Sequence, residues 1–331
     1  MIAVCRRDYG APEVLRVEEI EVPAVGASDV LIMVKAVSVN FADLIARRFG
    51  QVRPRDFNML WLLWLFARFA FGWNRPRRHV LGNSFAGEVV SVGKDVRRLK
   101  AGDAVFAYTE EKMGAYAEYV SMPESGMISL KPSNMSFAEA SAVPYGAVTA
   151  LSLLRRMDIG PGQRVLIIGA SGGIGSAALQ LARNHFGAHV TGVCGASSIE
   201  YVTRLGAEHT IDHRKEDYAD GSATYDLVVD VLGRGSFARI RPILTARGVY
   251  LSVSFKTRKL LQMLWTGIIG GKRVRCALAT PEPKDLETIR GVVEDGKLVS
   301  MIDRSYPLTE AAQAHGYAES GERKGNIVLV T

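Results

Sequence analysis

One heptapeptide in the middle of the chain carries the clearest chemical signal: Gly169-Ala170-Ser171-Gly172-Gly173-Ile174-Gly175. It follows a short apolar run at 165–168 and precedes a stretch rich in Ala and Leu, so a strand, a tight turn and a helix are expected in succession. From Ala170 to Gly175 the spacing fits [G/A]-x-G-x-x-G. At Gly172 no side chain blocks the approach of a bulky anion to the backbone, and Gly175 lets the helix pack close to its sheet. The helix start offers unpaired N–H groups and the positive end of its dipole to phosphates. In this context Ala170, Ser171, Gly172, Gly173, Ile174 and Gly175 are expected to hold a dinucleotide pyrophosphate.

The next strand discriminates between dinucleotides. An acid at its end would hold a ribose 2′-OH, but Cys194 is followed by Gly195-Ala196-Ser197-Ser198-Ile199-Glu200. Glu200 reads as the partner of Ser197 in a capping box for the following helix. A small, uncharged tip leaves room for a 2′-phosphate, with Ser197 and Ser198 as hydroxyl donors and Arg214 as counter-charge. NADPH is therefore expected, with NADH as the alternative. A surface arginine such as Arg214 is equally well a solvated one, since isolated exposed pairs are weak.

These residues need a scaffold. From about 137 the pattern alternates: a helix at 137–157, strands at 165–168, 189–194, 209–211, 227–231 and 249–253, with helices to about 186, near 199–205 and near 237–244 between them. Strands alternating with helices predict a parallel sheet covered on both faces, a doubly wound Rossmann-type α/β fold. The first 125 residues read differently. Runs rich in β-branched residues at 30–39 and 85–92 are separated by turn signals at Gly26, Gly50, Pro54, Gly93 and Gly102-Asp103. The tail is expected to hold a helix, a second helix starting at Pro307-Leu308-Thr309-Glu310, and a final strand at 327–330.

The 331 residues suffice for two domains, and 48% hydrophobic with 23% charged residues excludes a disordered or collagenous chain. Cys5, Cys194 and Cys276 are too few and too scattered for a disulfide scaffold or a four-cysteine zinc lobe. No cleavable leader is apparent where Arg6, Arg7 and Asp8 follow so early, which makes a reducing, cytoplasmic setting the expectation. No nucleic-acid module is visible.

Taken together, the motifs resemble the medium-chain dehydrogenase/reductase superfamily, in its zinc-free quinone oxidoreductase branch. The resemblance rests on Gly10-Ala11-Pro12-Glu13-Val14-Leu15, Asn40-Phe41-Ala42-Asp43, Ala86-Gly87-Glu88-Val89, Gly102-Asp103-Ala104-Val105, Gly114-Ala115-Tyr116-Ala117-Glu118-Tyr119 and the glycine loop, in order along nearly the whole chain. It implies a GroES-like, mostly β substrate domain from residues 1–123 and 283–331 around a Rossmann domain from 124–282, with a nicotinamide between them. It also implies that Asn40 lies near nicotinamide and substrate with Asp43 behind it, and that Thr149 meets the nicotinamide amide. His213 stands where relatives often carry a tyrosine, and it joins the cofactor set with Arg214 and Ser254. Asn and Asp at such positions also serve as turn or helix caps. Zinc-dependent relatives place Cys and His ligands near the position of Asn40. Here Val39-Asn40 stand there, and residues 1–123 hold only one histidine, His79, so no zinc is expected. The implied reaction is hydride transfer from NADPH to a small-molecule quinone or α,β-unsaturated carbonyl, in a homodimer. The alternatives are an alcohol dehydrogenase-like enzyme, an enoyl-thioester reductase, or a membrane-docked relative without turnover. A tyrosine that often follows the Asn-x-x-Asp motif is replaced by Leu44 and Ile45, which leaves the proton donor open.

Two windows depart from that pattern. Residues 57–73, FNMLWLLWLFARFAFGW, hold seven aromatics, with only Asn58 and Arg68 strongly polar; residues 260–271, LLQMLWTGIIGG, lie between Lys259 and Lys272. As a helix the first would extend roughly 26 Å, short of a ~30 Å hydrocarbon core, so it is not expected to span a membrane. It is read as a lid over the substrate or a dimer contact. Docking in a membrane interface is the alternative, with Trp and Phe immersed and arginines at the headgroups. The formal charge of +7 is concentrated here: residues 47–78 contain eight arginines against Asp56, and residues 256–275 contain six basic residues and no acid. The remainder of the chain is net acidic. All four tryptophans, 61, 64, 73 and 265, fall in the same two windows.

Overall fold

The computed structural model describes residues 1–54 and 60–331. The start of the first aromatic window, residues 57–59, therefore lies outside the described residues. The chain forms two compact units: Met1–Val52, Leu65–Val148 and Glu282–Thr331 make one, and Arg53–Trp64 with Thr149–Pro281 make the other.

The first unit begins with β1 (Ile2–Arg6), β2 (Leu15–Glu19), β3 (Asp29–Ser38), α1 (Phe41–Arg47) and, from Leu65 on, α2 (Trp61–Phe71), then β4 (Ser84–Val92), β5 (Ala104–Tyr108), β6 (Tyr119–Pro123) and β7 (Met127–Leu130). Helices α3 (Phe137–Ser141) and α4 (Pro144–Leu154) follow. The single helix expected over 137–157 is thus broken at residues 142–143. Pro144 has no N–H to donate and disfavours a helical conformation at Val143.

The second unit contains β8 (Arg164–Ile168), α5 (Gly173–Gln180), β9 (His189–Cys194), α6 (Ile199–Arg204), β10 (His209–Asp212), β11 (Tyr225–Asp230), α7 (Phe237–Ile240), β12 (Leu244–Ser252), α8 (Thr257–Ile269) and β13 (Arg273–Cys276). Its six strands pair in parallel in the order β10-β9-β8-β11-β12-β13. The order reverses at β8, and the ends of β8, β9 and β11 form the carboxyl edge where doubly wound sheets bind ligands. Val165, Leu166, Ile167, Val228 and Val229 are all but inaccessible, as a sheet covered on both faces requires.

The chain then returns to the first unit through α9 (Pro283–Glu294), β14 (Ile302–Pro307), α10 (Ala311–Ser320) and β15 (Asn326–Val330). Its sheet runs β14-β15-β3-β4-β5-β7, with β6 also paired to β3. All of these pairings are antiparallel except β14 with β15. The architecture is a GroES-like domain with a Rossmann-type domain.

Arg47, at the end of α1 and 1% exposed, ties α1 to α10. Its Nη2 donates to both carboxylate oxygens of Glu319 at 2.8 Å, its Nε to the Gly10 carbonyl, and its Nη1 to His315 Nδ1 at 3.2 Å. A guanidinium can only donate, so His315 accepts at Nδ1 and carries its proton on Nε2, 2.9 Å from the Tyr116 hydroxyl. Burial and the neighbouring Arg47 and Arg6 charges push the imidazole down to about 3, which keeps it neutral. Arg47→Met should lower the unfolding free energy by about 2–3 kcal/mol, because charged hydrogen bonds are lost and their partners stay behind. Urea unfolding compared with wild type measures it, and an unchanged midpoint would show that α10 is held by other contacts.

Candidate active site

In the second unit, β8 leads directly into the glycine loop. Gly169 adopts a left-handed φ of +87°, and the N–H groups of Gly169 and Ala170 both donate to the Val193 carbonyl on β9. A Cβ on Gly175 would stand 2.0 Å from the Gly169 carbonyl oxygen, so only glycine lets α5 start this close to its strand. Gly172, in extended conformation, is the N-cap of α5 and contributes no side-chain cap. The first-turn N–H groups of Gly173, Ile174 and Gly175 consequently remain available to an anion.

The strand ends beside the loop are closely tied to it. The Val231 N–H bonds the Ile168 carbonyl, and a Cβ on Gly169 would meet the Leu232 side chain at 3.1 Å. A Cβ on Gly233 would meet the Val253 carbonyl oxygen at 2.7 Å and Ser254 Cβ at 3.1 Å, which places Ser254 beside the same segment. Ser254 is fully buried, and its hydroxyl has no hydrogen-bond partner among the described residues. A buried hydroxyl left without an acceptor or donor is costly.

Asp230, at the end of β11, organises this edge. Its carboxylate has no exposed surface and accepts from Gly233 N at 2.9 Å, from Gly235 N at 2.7 Å and from the Tyr250 hydroxyl at 2.7 Å. Lys259 Nζ donates to the same Tyr250 oxygen at 2.7 Å. Desolvation pulls the ammonium below its ordinary range, while the Asp230 charge acts the other way. Neither Asp230 nor Tyr250 drew notice from the sequence, and Lys259 only as the border of an apolar stretch, since Asp230 lies 20 positions from Tyr250 and only β11–β12 pairing joins them.

At the tip of β9, the His213 N–H bonds the Cys194 carbonyl, and His213 Nε2 lies 3.9 Å from where a Cβ on Gly195 would stand. Ser197, His213 and Arg214 are exposed here, whereas Ser198 is buried. The expected Ser197–Glu200 capping box does not form. Ser198 is the N-cap of α6 without a side-chain bond, and Glu200 pairs with Arg204 one turn along, where a carboxylate finds a guanidinium instead of a backbone donor. The sequence also hides an acid that the sheet supplies. Asp212 stands beside Cys194 in register, almost fully buried, with Oδ2 unpartnered among the described residues. Thr149 lies half-buried in α4.

In the first unit, Asn40 is the N-cap of α1 and only 8% exposed. Its Nδ2 donates to Ser38 Oγ at 2.9 Å and to Asn83 Oδ1 at 3.3 Å. Both amide hydrogens are thereby used, so Oδ1 is what the side chain offers to anything else, as an acceptor. Asp43 is wholly buried and reaches back to the Asn40 N–H at 2.8 Å and across to the Gly82 N–H at 2.9 Å. Burial raises its carboxyl from an ordinary 3.8 to about 7, against the pull of those two N–H groups and of Arg6. Further polar groups join this cluster. The Ser84 hydroxyl accepts from Tyr145 N and donates to the Ser141 carbonyl, Ser84 pairs with Tyr108 between β4 and β5, and the Tyr108 and Tyr145 rings meet edge-on at 6.0 Å. Burial pushes both phenols above their ordinary range, so they remain protonated hydrogen-bond donors.

Two family models match the chain: the alcohol dehydrogenase GroES-like domain over residues 26–132 and the zinc-binding dehydrogenase over residues 205–329. The 2-methylene-furan-3-one reductase of Solanum lycopersicum is 30% identical across 97% of this chain and 77% of its own length. The chain belongs to the medium-chain dehydrogenase/reductase superfamily, in its quinone oxidoreductase branch. A second relative in this superfamily, the chloroplastic NADPH-dependent alkenal/one oxidoreductase of Arabidopsis thaliana, is also 30% identical over the same shares. Among solved structures, the quinone oxidoreductase from Coxiella burnetii superposes with a TM-score of 0.84 at 28% identity, covering 100% of this chain and 99% of that one.

The description of one matching model raises the question of zinc, and the donors at hand do not suit it. Around Asn40 stand a serine hydroxyl, a second asparagine and a carboxylate already holding two N–H groups. His315, the other histidine of this unit besides His79, has both ring nitrogens engaged by Arg47 and Tyr116. Among the described residues no group of three or more His, Cys, Asp and Glu is placed to hold a metal ion. A tetrahedral zinc site needs converging nitrogen or sulfur ligands.

Two outcomes test the site. Gly175→Ala should weaken NADPH binding by roughly tenfold or more, read by calorimetry, because its Cβ must displace the Gly169 carbonyl. Wild-type affinity in that variant would remove the loop from the pyrophosphate site. For Asp43, the unfolded chain releases the proton near its ordinary 3.8 and the folded chain near 7. Stability from this group therefore falls as pH rises between about 4 and 7 and is flat above. Urea unfolding at about pH 5 and pH 8 should show a larger fall for wild type than for Asp43→Asn; equal falls would mean the carboxylate is ionised throughout.

Proposed function

We propose that the protein is an NADPH-dependent, zinc-independent reductase that delivers hydride to a quinone or an α,β-unsaturated carbonyl. The observation that carries this reading is the uncapped start of α5 behind the glycine loop, on the carboxyl edge of a parallel sheet whose order reverses there. When bound, the reduced nicotinamide supplies the hydride. The residues Ala170, Ser171, Gly172, Gly173, Ile174 and Gly175 hold the pyrophosphate, and the unpartnered Ser254 hydroxyl gains a partner beside it. Thr149 meets the nicotinamide amide. The exposed Ser197, His213 and Arg214 receive the adenosine end, with Ser198 beneath them. Arg214 supplies a positive charge suited to a 2′-phosphate, and the neighbouring Asp212 carboxylate at the end of β10 is buried beneath the surface. The relative described as an NADPH-dependent alkenal/one oxidoreductase supports the same choice of cofactor and acceptor.

Charge develops on the acceptor oxygen as hydride reaches carbon, and a hydrogen-bond donor stabilises it. With its Nδ2 hydrogens spent on Ser38 and Asn83, Asn40 is assigned to orienting a ligand donor through Oδ1, and Asp43 acts as a positioning residue through the Asn40 backbone. The protonated phenols of Tyr108 and Tyr145 are the donors assigned to the oxyanion. The donor set around Asn40 supports hydride chemistry without zinc, and the three free cysteines fit a reducing, cytoplasmic setting.

Purified protein given NADPH and panels of quinones, enones, alcohols and enoyl thioesters should lose reduced-nicotinamide absorbance with the first two classes. Neither turnover nor cofactor binding would end this reading. Arg214→Ala should weaken NADPH by roughly tenfold and leave NADH unchanged, a loss in the range expected of a phosphate–guanidinium contact; equal loss for both would assign Arg214 elsewhere.

A further inference from the structure

We propose that the outward face of α8 and, independently of it, that of α2 are each docking surfaces for an anionic lipid bilayer. Each helix, taken by itself, is turned inside out. In α8 two polar residues face the protein: Lys259 donates to the Gly235 carbonyl and the Tyr250 hydroxyl and lies 4.4 Å from the Tyr250 ring centroid, and Thr266 Oγ1 accepts from Val274 N at 3.0 Å. Facing outward are Leu261, Leu264, Trp265, Ile268 and Ile269, between 54% and 86% exposed. Their positions, i, i+3, i+4, i+7 and i+8, form one uninterrupted apolar stripe.

In α2 the single charged residue, Arg68, is buried. It donates to the Phe49 and Trp73 carbonyls and lies over the Trp73 ring at 5.2 Å and the Tyr9 ring at 5.9 Å. The protein thereby claims Arg68, and the outer surface keeps Trp61, Leu62, Phe66 and Phe69, each 51–70% exposed. A helix bordering water shows the opposite polarity, charge outside and apolar stripe inside.

Charge selects the occupant. Arg75, Arg77 and Arg78 beyond α2, and Lys256, Arg258 and Arg273 in and around α8, are exposed, while Arg47, Arg68 and Lys259 are drawn inside, and the one acid in the two windows is Asp56. Basic rims around Trp-bearing apolar faces match the anionic headgroups and the interfacial zone of a bilayer. A two-fold contact would instead set each basic rim against its own copy with almost no acid to answer it. No described helix is long and apolar enough to cross a membrane, and at roughly 1.5 Å per residue α8 extends about 20 Å, suited to lying in the interface. This inference does not rest on the hydride-transfer reading.

Because all four tryptophans lie in these windows, intrinsic emission reports on the two faces and little else. Vesicles of phosphatidylcholine with phosphatidylserine should co-sediment the protein and shift its emission to the blue. Phosphatidylcholine alone should not, and added salt should reverse the effect. Ile268→Glu and Phe66→Glu, both at exposed positions, should each lower the bound fraction roughly tenfold, with circular dichroism and NADPH affinity unchanged. Protein left in the supernatant with unshifted emission would overturn the proposal. So would sedimentation showing a wild-type dimer that either substitution splits, since a second copy would then be what covers the face.

Discussion

Two aspartates with no exposed surface hold the loops on which the site is built. Asp43 binds the backbone N–H groups of Asn40 and Gly82, and Asp230 binds those of Gly233 and Gly235 together with the Tyr250 hydroxyl. A buried carboxylate is costly unless its oxygens are satisfied, and here backbone donors satisfy them. The dependence is mutual: the loops supply the donors that make each buried oxygen tolerable, and the carboxylates hold the loops in one conformation. Asn40 and Asn83 owe their alignment to the first pair of bonds, and the segment between β11 and Ser254 owes its course to the second.

The same economy of polar groups governs the surroundings. Arg47 and His315 sit inside the first unit with each hydrogen-bonding atom assigned, which fixes the imidazole as a neutral Nε2–H tautomer. Ser254 Oγ, Ser252 Oγ and Asp212 Oδ2 are unpartnered among the described residues at strand ends on the carboxyl edge of the parallel sheet, and Arg6 and Ser121 in the first unit also keep unpartnered side-chain atoms.

Helices α2 and α8 reverse the usual arrangement for a physical reason visible in their partners. Lys259 is drawn inward by the Tyr250 hydroxyl and the Gly235 carbonyl, and Arg68 by two carbonyls and two aromatic rings. Once those polar side chains are committed inside, the helical period carries the apolar residues to the outside. The acidic balance of the remaining scaffold makes the two basic windows the more distinct.

Much of the architecture was legible in the residues alone. The heptapeptide from Gly169 to Gly175, with a β-type run before it and a helix-forming run after it, specified strand, turn and helix, because only glycine tolerates a φ of +87° at Gly169 and contact with its carbonyl at Gly175. Alternating apolar periods likewise specified the parallel sheet. Local patterns failed where one partner outcompeted another: Glu200 pairs with Arg204 one turn along instead of capping, and Arg68 turns inward toward the Phe49 and Trp73 carbonyls. Asp212, Asp230 and Tyr250 carried no sequence signal, and Lys259 only that of a basic border, since each draws its meaning from a neighbouring strand or loop. The sequence by itself determined the fold, the glycine loop and the concentration of charge in two windows. Only the tertiary structure decided which polar groups are satisfied, which are left open and which way α2 and α8 face, because hydrogen-bond partners come from residues far apart in the chain.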